Sequence, residues 1–268
     1  MNASIANAPV GVFDSGVGGL SVLHHIRQQL PQETLLYCAD SRYAPYGNKT
    51  PGQIRERSLR LTEFLLGQGA KAVVVACNTA TAAAVAELRL RFSVPIIAME
   101  PAVKPAAAAS RSGVIGVLAT VGTLKSAQFA ALLENYGKEV EVVTQACHGL
   151  VECVERGALD SPETRDLVRS YVQPLLAHGA DTLVLGCTHY PFLRGLIEQA
   201  AGPGVTLVDT GAAVARHLRR RLEEAGLLVL AGSAGEHFWT TGDLGQARAI
   251  MPRLWGVDVL VERLPETP

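Results

Sequence analysis

Neither sign of charge dominates this 268-residue chain: 24 Lys and Arg stand against 25 Asp and Glu, for a formal net charge of −1. Attraction to nucleic acid or to an anionic membrane surface needs an excess of positive charge, so neither partner is expected. No stretch of 18 apolar residues runs without a break or a charge, which argues against a membrane-spanning helix. The first residues, MNASIANAPV, lack the basic start and long apolar segment of a secretory signal, so a cytoplasmic location is expected. The five cysteines, Cys38, Cys77, Cys147, Cys153 and Cys187, are odd in number and show no C-x-x-C spacing. That fits neither a disulfide framework nor a zinc site, and free thiols with no bound metal are expected.

Nucleotide signatures are missing as well. The Gly-rich stretch DSGVGGLSVL, residues 14–23, has Ser21 where a dinucleotide fingerprint needs its third small residue, and no Gly-Lys-Ser or Gly-Lys-Thr follows it. What remains is a glycine turn whose backbone N–H groups can approach a small anion such as a carboxylate. Nor does any lysine stand in a recognisable pyridoxal phosphate site.

Apolar residues make up 48% of the chain and charged ones 18%, ample for a core and for one large α/β unit or two domains. Short β-branched runs alternate with longer amphipathic segments throughout, the pattern of βα units on a parallel sheet. Strands are predicted near 9–14, 34–39, 71–77, 94–98, 113–119, 140–145, 181–187, 205–208 and 237–241. Helices are predicted near 18–30, 51–68, 79–92, 101–110, 122–136, 147–156, 162–178, 191–201, 210–225 and 243–253.

The run KAVVVACNTATAAA, residues 71–84, ends a buried strand in Cys77, Asn78 and Thr79, and GADTLVLGCTHY, residues 179–190, ends another in Cys187, Thr188 and His189. The two align without gaps at an offset of 110, with Gly69 on Gly179, Ala70 on Ala180, Val73 on Leu183 and Cys77 on Cys187. Residues 11–15 resemble residues 116–120 at an offset of 105. Two similar doubly wound halves follow, 1–99 plus 211–268 and 100–210, the chain beyond about 210 returning to the first. Ligands of open parallel sheets bind outside the carboxyl ends of the strands, where Asp14, Cys77 and Cys187 are expected, so the thiols would meet across a cleft.

Other motifs have plainer readings. Cys147, His148, Glu152, Cys153 and Glu155 are placed on one predicted helix, with a single carboxylate reaching the cleft more plausible than a metal. HLRRR, residues 217–221, is a solvated helix face. ADSRYAPYGNKT, residues 39–50, is a loop on the sheet's carboxyl edge, either functional or a plain turn. Cys187 with His189 suggests a nucleophile and its base, but a hydrolase needs one such thiol and this chain duplicates it. Two equivalent groups on opposite sides of a substrate suit inversion at a carbon with an acidic hydrogen, one taking a proton from one face and the other supplying one to the opposite face. A thiol suits both roles, since its free pKa of about 8.5 keeps thiol and thiolate accessible near neutral pH.

VFDSGVGGLSVL, ADSRYAPYG, VVACNTAT and LGCTHYP, in this order, resemble the signatures of the glutamate racemases, within the aspartate/glutamate racemase superfamily. The likeness spans about residues 9–255. It implies a cofactor-independent two-base racemase of two α/β domains that interconverts L- and D-glutamate, supplies the D-isomer to peptidoglycan synthesis and forms homodimers. By the same resemblance Cys77 and Cys187 are the catalytic thiols, Asp14 assists the first, and His189 and Glu155 assist the second. Substrate contacts fall on Asp14, Ser15, Tyr46, Gly47, Asn78, Thr79, Thr188 and His189. An aspartate racemase of the same superfamily is the near alternative, and a two-lobed small-molecule binding protein the distant one.

Overall fold

The computed structural model describes residues 6–137, 139–231 and 234–265. Strand and helix alternate from β1 (Val10–Asp14) and α1 (Leu20–Gln29) through β2 (Leu35–Ala39), α2 (Pro51–Gly67), β3 (Ala72–Val75), α3 (Asn78–Arg91) and β4 (Ile96–Ile97). Then come α4 (Val103–Ala109), β5 (Val114–Ala119), α5 (Val121–Leu124), α6 (Ala127–Tyr136), β6 (Glu141–Ala146), α7 (Leu150–Glu155) and α8 (Pro162–Ala177). The chain continues with β7 (Thr182–Leu185), α9 (Arg194–Ala201), β8 (Thr206–Val208), α10 (Gly211–Glu224), β9 (Glu236–Thr240), α11 (Leu244–Trp255) and β10 (Val261–Arg263). None of the described helices is long and apolar enough to cross a membrane.

The strands form two sheets, β10-β9-β2-β1-β3-β4 and β6-β5-β7-β8, and every pairing in them is parallel. The order β2-β1-β3-β4 in one sheet repeats as β6-β5-β7-β8 in the other. Registers repeat too: Gly11 faces Val73 in the first sheet and Gly116 faces Leu183 in the second, the same residues that align in the sequence. Each of these glycines admits a leucine from the helix that precedes the paired strand, β3 or β7. A Cβ on Gly11 would lie 3.0 Å from Leu65, and one on Gly116 would lie 2.8 Å from Leu175. Leu65 and Leu175 are themselves 110 residues apart. Each helix then ends in a left-handed glycine, Gly69 at φ 85° and Gly179 at φ 86°, a backbone that side chains disfavour.

Side chains alternate between the two faces of each strand. Val10, Val12 and Val74 pack with α1 and α10 in one apolar cluster, which continues to Leu118, Leu183 and Leu185 of the second sheet. Phe13, Val73 and Val75 point the other way, into a cluster with α2 and α3, while Ile115, Val117 and Val184 do so toward α4 and α6. Both faces of both sheets are therefore covered, as parallel sheets require.

Several predicted elements are corrected. The helix expected at 122–136 is two, because Thr120 and Ser126 each cap a helix, accepting from Thr123 N–H and Phe129 N–H, and Ser126 is extended. The helix expected at 147–156 starts at Leu150, since Gly149 at φ 82° cannot be part of it, so Cys147 and His148 precede it. The segment at 191–201 is a 3-10 turn, Tyr190–Leu193, followed by α9. Strand β10 was not anticipated; it pairs with β9, which pairs with β2, so the end of the chain extends the first sheet.

Candidate active site

The carboxyl ends of β1, β3, β5 and β7 converge. Ala76 N–H donates to Phe13 O and Gly186 N–H to Leu118 O, each at 2.8 Å, so each thiol leaves its sheet one residue later in the same way. Cys77 and Cys187 line one small cavity, with Ser15, Tyr46, Gly47, Asn78, Thr79, Thr188 and His189. Asp14 and Glu155 do not line it. They stand one layer behind the thiols.

Cys77 caps α3: its Sγ accepts from Ala80 N–H at 3.4 Å and receives Asp14 and Ser15 as neighbours, Ser15 Oγ at 3.7 Å. The cap is the thiol itself, and the helix begins at Asn78, one residue before the expected start at 79. Burial, reinforced by the negative charge of Asp14, raises the Cys77 thiol well above the ordinary range. Asp14 is fully buried, and its carboxylate accepts from Ser15 N–H at 2.7 Å, Gly19 N–H at 2.6 Å and Thr188 Oγ1 at 3.3 Å. Burial raises its pKa, while the charge of His189 and the bonds from Cys77 and Ser15 hold it down.

Cys187 has different company. His189 Nδ1 lies 3.7 Å from its Sγ, and His189 Nε2 lies 2.6 Å from Glu155 Oε1. Burial opposes a charge on His189, yet its bonds to Cys187 and Glu155 and their charges raise its pKa well above the usual value. The imidazolium is thus favoured beside the second thiol, where it can steady a thiolate. The His189 side chain is 1% exposed and that of Glu155 13%. Glu155 borders a second, open groove, so the row from Cys187 through His189 to Glu155 runs from the small cavity toward solvent.

The glycine turn after β1 serves this row. Val17 N–H donates to Glu155 Oε1 at 2.7 Å. A Cβ on Gly16 would fall 1.9 Å from that oxygen, and one on Gly18 would fall 2.2 Å from His189 Nδ1. The carboxylate that the turn receives is the protein's own.

Tyr46 and Asn78 divide the polar work. The Tyr46 hydroxyl donates to Asp40 at 2.6 Å, so its ring and backbone, not its oxygen, are what the cavity offers. Asn78 is buried and neither Oδ1 nor Nδ2 has a hydrogen-bond partner. An unpaired buried amide is costly, which makes Asn78 a candidate ligand contact.

The profile of the family described as Asp/Glu/Hydantoin racemase matches residues 10–218. A glutamate racemase from Ectopseudomonas mendocina (strain ymp) is 61% identical over 257 residues, 96% of this chain and 97% of that protein. The chain belongs to the Asp/Glu/Hydantoin racemase family. Among solved structures, a glutamate racemase isoform from Bacillus anthracis superposes with a TM-score of 0.88 at 34% identity, covering 97% of this chain and 98% of that one. The Escherichia coli glutamate racemase, solved with L-glutamate and the activator UDP-MurNAc-ala, gives 0.86 at 33% identity, covering 96% of this chain and 98% of that one.

Within this racemase-family fold two further groups enter the cavity. Thr120 and Thr123 line it, and their hydroxyls form a triangle with that of Thr79, at 2.9 Å, 3.2 Å and 3.1 Å. Thr79 and Thr120 come from different sheets, so the triangle bridges the cleft. The sequence carried one signal for them: Thr120 ends the stretch 116–120 that repeats 11–15, in the place of Ser15. Among the described residues no cluster of three or more His, Cys, Asp or Glu is placed to hold a metal ion.

Proposed function

We propose that this chain is a cofactor-independent two-base racemase that interconverts L- and D-glutamate. The observation that carries the reading is the pair of thiols, from matching strand ends of two sheets, lining one small cavity beside an amide with no protein partner. As a thiolate one cysteine removes the α-hydrogen, and as a thiol the other supplies a proton to the opposite face. In the reverse direction the roles exchange. Asp14 supports Cys77, and His189 with Glu155 supports Cys187. Ser15, Asn78, Thr79 and Thr188, together with the backbone at Tyr46 and Gly47, suit two carboxylates and an ammonium. His189 faces the same space, and Asp14 acts on the ligand through Ser15 and Thr188, which it orients. With no electron sink, the carbanionic transition state relies on these oriented donors and on exclusion of water.

Sheet membership supports two units, 1–99 plus 211–268 and 100–210, with the site between them. The high identity to glutamate racemases supports glutamate as substrate, a role in supplying D-glutamate for peptidoglycan, a cytoplasmic location and a homodimer. The test is circular dichroism of each pure enantiomer incubated with the purified protein and no added cofactor. Decay of either signal to zero is expected with glutamate. A flat trace with glutamate and a moving one with aspartate would reassign the substrate.

A further inference from the structure

Glu155 belongs to the chain segment of the second sheet, yet most of what holds its carboxylate comes from the first. Val17 N–H reaches Oε1 at 2.7 Å, and Ser41 Oγ donates to Oε2 at 3.0 Å. From α11, Gln246 Nε2 donates to the Glu155 backbone oxygen at 2.8 Å. Ser41 is itself fixed by a buried hub. Its neighbour Asp40 is fully buried and accepts from Tyr46 Oη at 2.6 Å, Arg57 Nη2 at 2.8 Å and Thr241 Oγ1 at 2.9 Å. The Gly242 backbone packs against Ser41 so closely that a Cβ there would lie 2.9 Å from that of Ser41.

We propose that Ser41 is a positioning residue of the reaction: with the Val17 N–H it pins Glu155 against His189, so that the charged imidazole beside Cys187 is assembled only when the two sheets are closed on each other. The proposal rests on the two-thiol racemase reading and adds a coupling between cleft closure and the readiness of one thiol. Were the cleft to open, both donors would leave the carboxylate and His189 would lose its fixed counter-charge. Cys77 depends on closure less: Ser15 and the Ala80 N–H belong to its own sheet and the elements joined to it. Asp14 is held there by the Ser15 and Gly19 N–H groups at 2.7 and 2.6 Å, with only the longer 3.3 Å bond from Thr188 reaching it across the cleft. The groups facing His189 are Cys187 beside it, Glu155 from α7 and Asp14 from the end of β1.

Ser41→Ala tests this. Enantiomers have equal free energies, so kcat/KM is the same in both directions for any variant and cannot by itself show an asymmetry. The informative readouts are the α-deuterium isotope effects measured separately from each enantiomer, and the pH profile. In Ser41→Ala, kcat/KM is expected to fall about tenfold, the scale of one hydrogen bond to a charged group. The isotope effect is expected to rise for the enantiomer whose α-hydrogen goes to Cys187 and to stay put for the other. That enantiomer is identified as the one whose α-hydrogen no longer exchanges with solvent in Cys187→Ala. The alkaline limb of kcat/KM should move to lower pH, because a loosened Glu155 no longer sustains the charge on His189. Gln246→Ala, which frees the same residue from a second side, should change the same readouts in the same sense. Equal changes in both isotope effects, or an unmoved alkaline limb, would overturn the proposal. Absence of racemisation by the unaltered protein would instead overturn the reading on which it rests.

Discussion

After β3 the chain turns directly into a helix with Cys77 as its cap, whereas after β7 it makes the extra turn Tyr190–Leu193 before α9 begins. Up to that point the two halves match in strand order, register and even in the leucine that fills each glycine gap. The extra turn places His189 beside Cys187, where the other half has Thr79 inside a helix. Two equivalent strand ends thus yield unequal thiols. Cys77 sits near a carboxylate with its pKa raised by burial, and Cys187 sits near an imidazole whose own pKa is raised by Cys187 and Glu155 despite burial. A duplicated scaffold supplies opposed positions, and divergence in the following turn supplies unlike neighbours, a carboxylate near one thiol and an imidazole beside the other.

The sharpest way to break this comparison is to remove either thiol. Cys77→Ala and Cys187→Ala should each abolish racemisation in both directions, a loss of at least about 10³-fold, on the scale of a positioned acid or base. Substantial activity in either variant, read by circular dichroism, would refute two bases.

Next in size is Glu155→Gln, which keeps the shape and removes the charge. A fall in kcat of about 10²-fold is expected. Because Glu155 raises the His189 pKa, its loss should shift the alkaline limb of the pH–rate profile down by about 1–2 pH units. Gly16→Ala, whose Cβ would land on Glu155, should reproduce both effects.

Asn78→Ala should be milder. It removes an amide that lacks a protein partner, so KM for glutamate should rise about tenfold while thermal stability is kept or slightly gained. A large drop in melting temperature would mean that Asn78 is structural. Smallest in its effect on turnover, the pair Leu65→Ala and Leu175→Ala probes the symmetric scaffold. Each should cost about 2–5 kcal/mol of stability, similarly in the two halves, with turnover unchanged below the unfolding range. Denaturant unfolding of the two variants checks it.

Much of the fold is legible in the chain because buried parallel strands are written as apolar runs and their helices as amphipathic ones. The repeat at Cys77 and Cys187 is legible because strand-end chemistry is local to the strand. The breaks at Gly149 and Ser126 were less visible, since a single glycine or serine inside a helical pattern is ordinarily tolerated. β10 escaped because its three residues include exposed Glu262 and Arg263. The partner of the glycine turn was out of reach for a different reason: Val17 and Glu155 are 138 residues apart, and only the packing of two sheets brings them together. Ser41, Thr120 and Thr123 are hidden in the same way, because nothing in their neighbours along the chain says what stands across the cleft.

The most direct test of two opposed thiols is solvent deuterium incorporation, followed by proton NMR, in the two single cysteine variants. With one base left, each variant can still exchange the α-hydrogen on the face that base commands. The account predicts complementary behaviour: Cys77→Ala incorporates deuterium into one enantiomer of glutamate, and Cys187→Ala into the other, each without inversion. Exchange of the same enantiomer by both variants would contradict it.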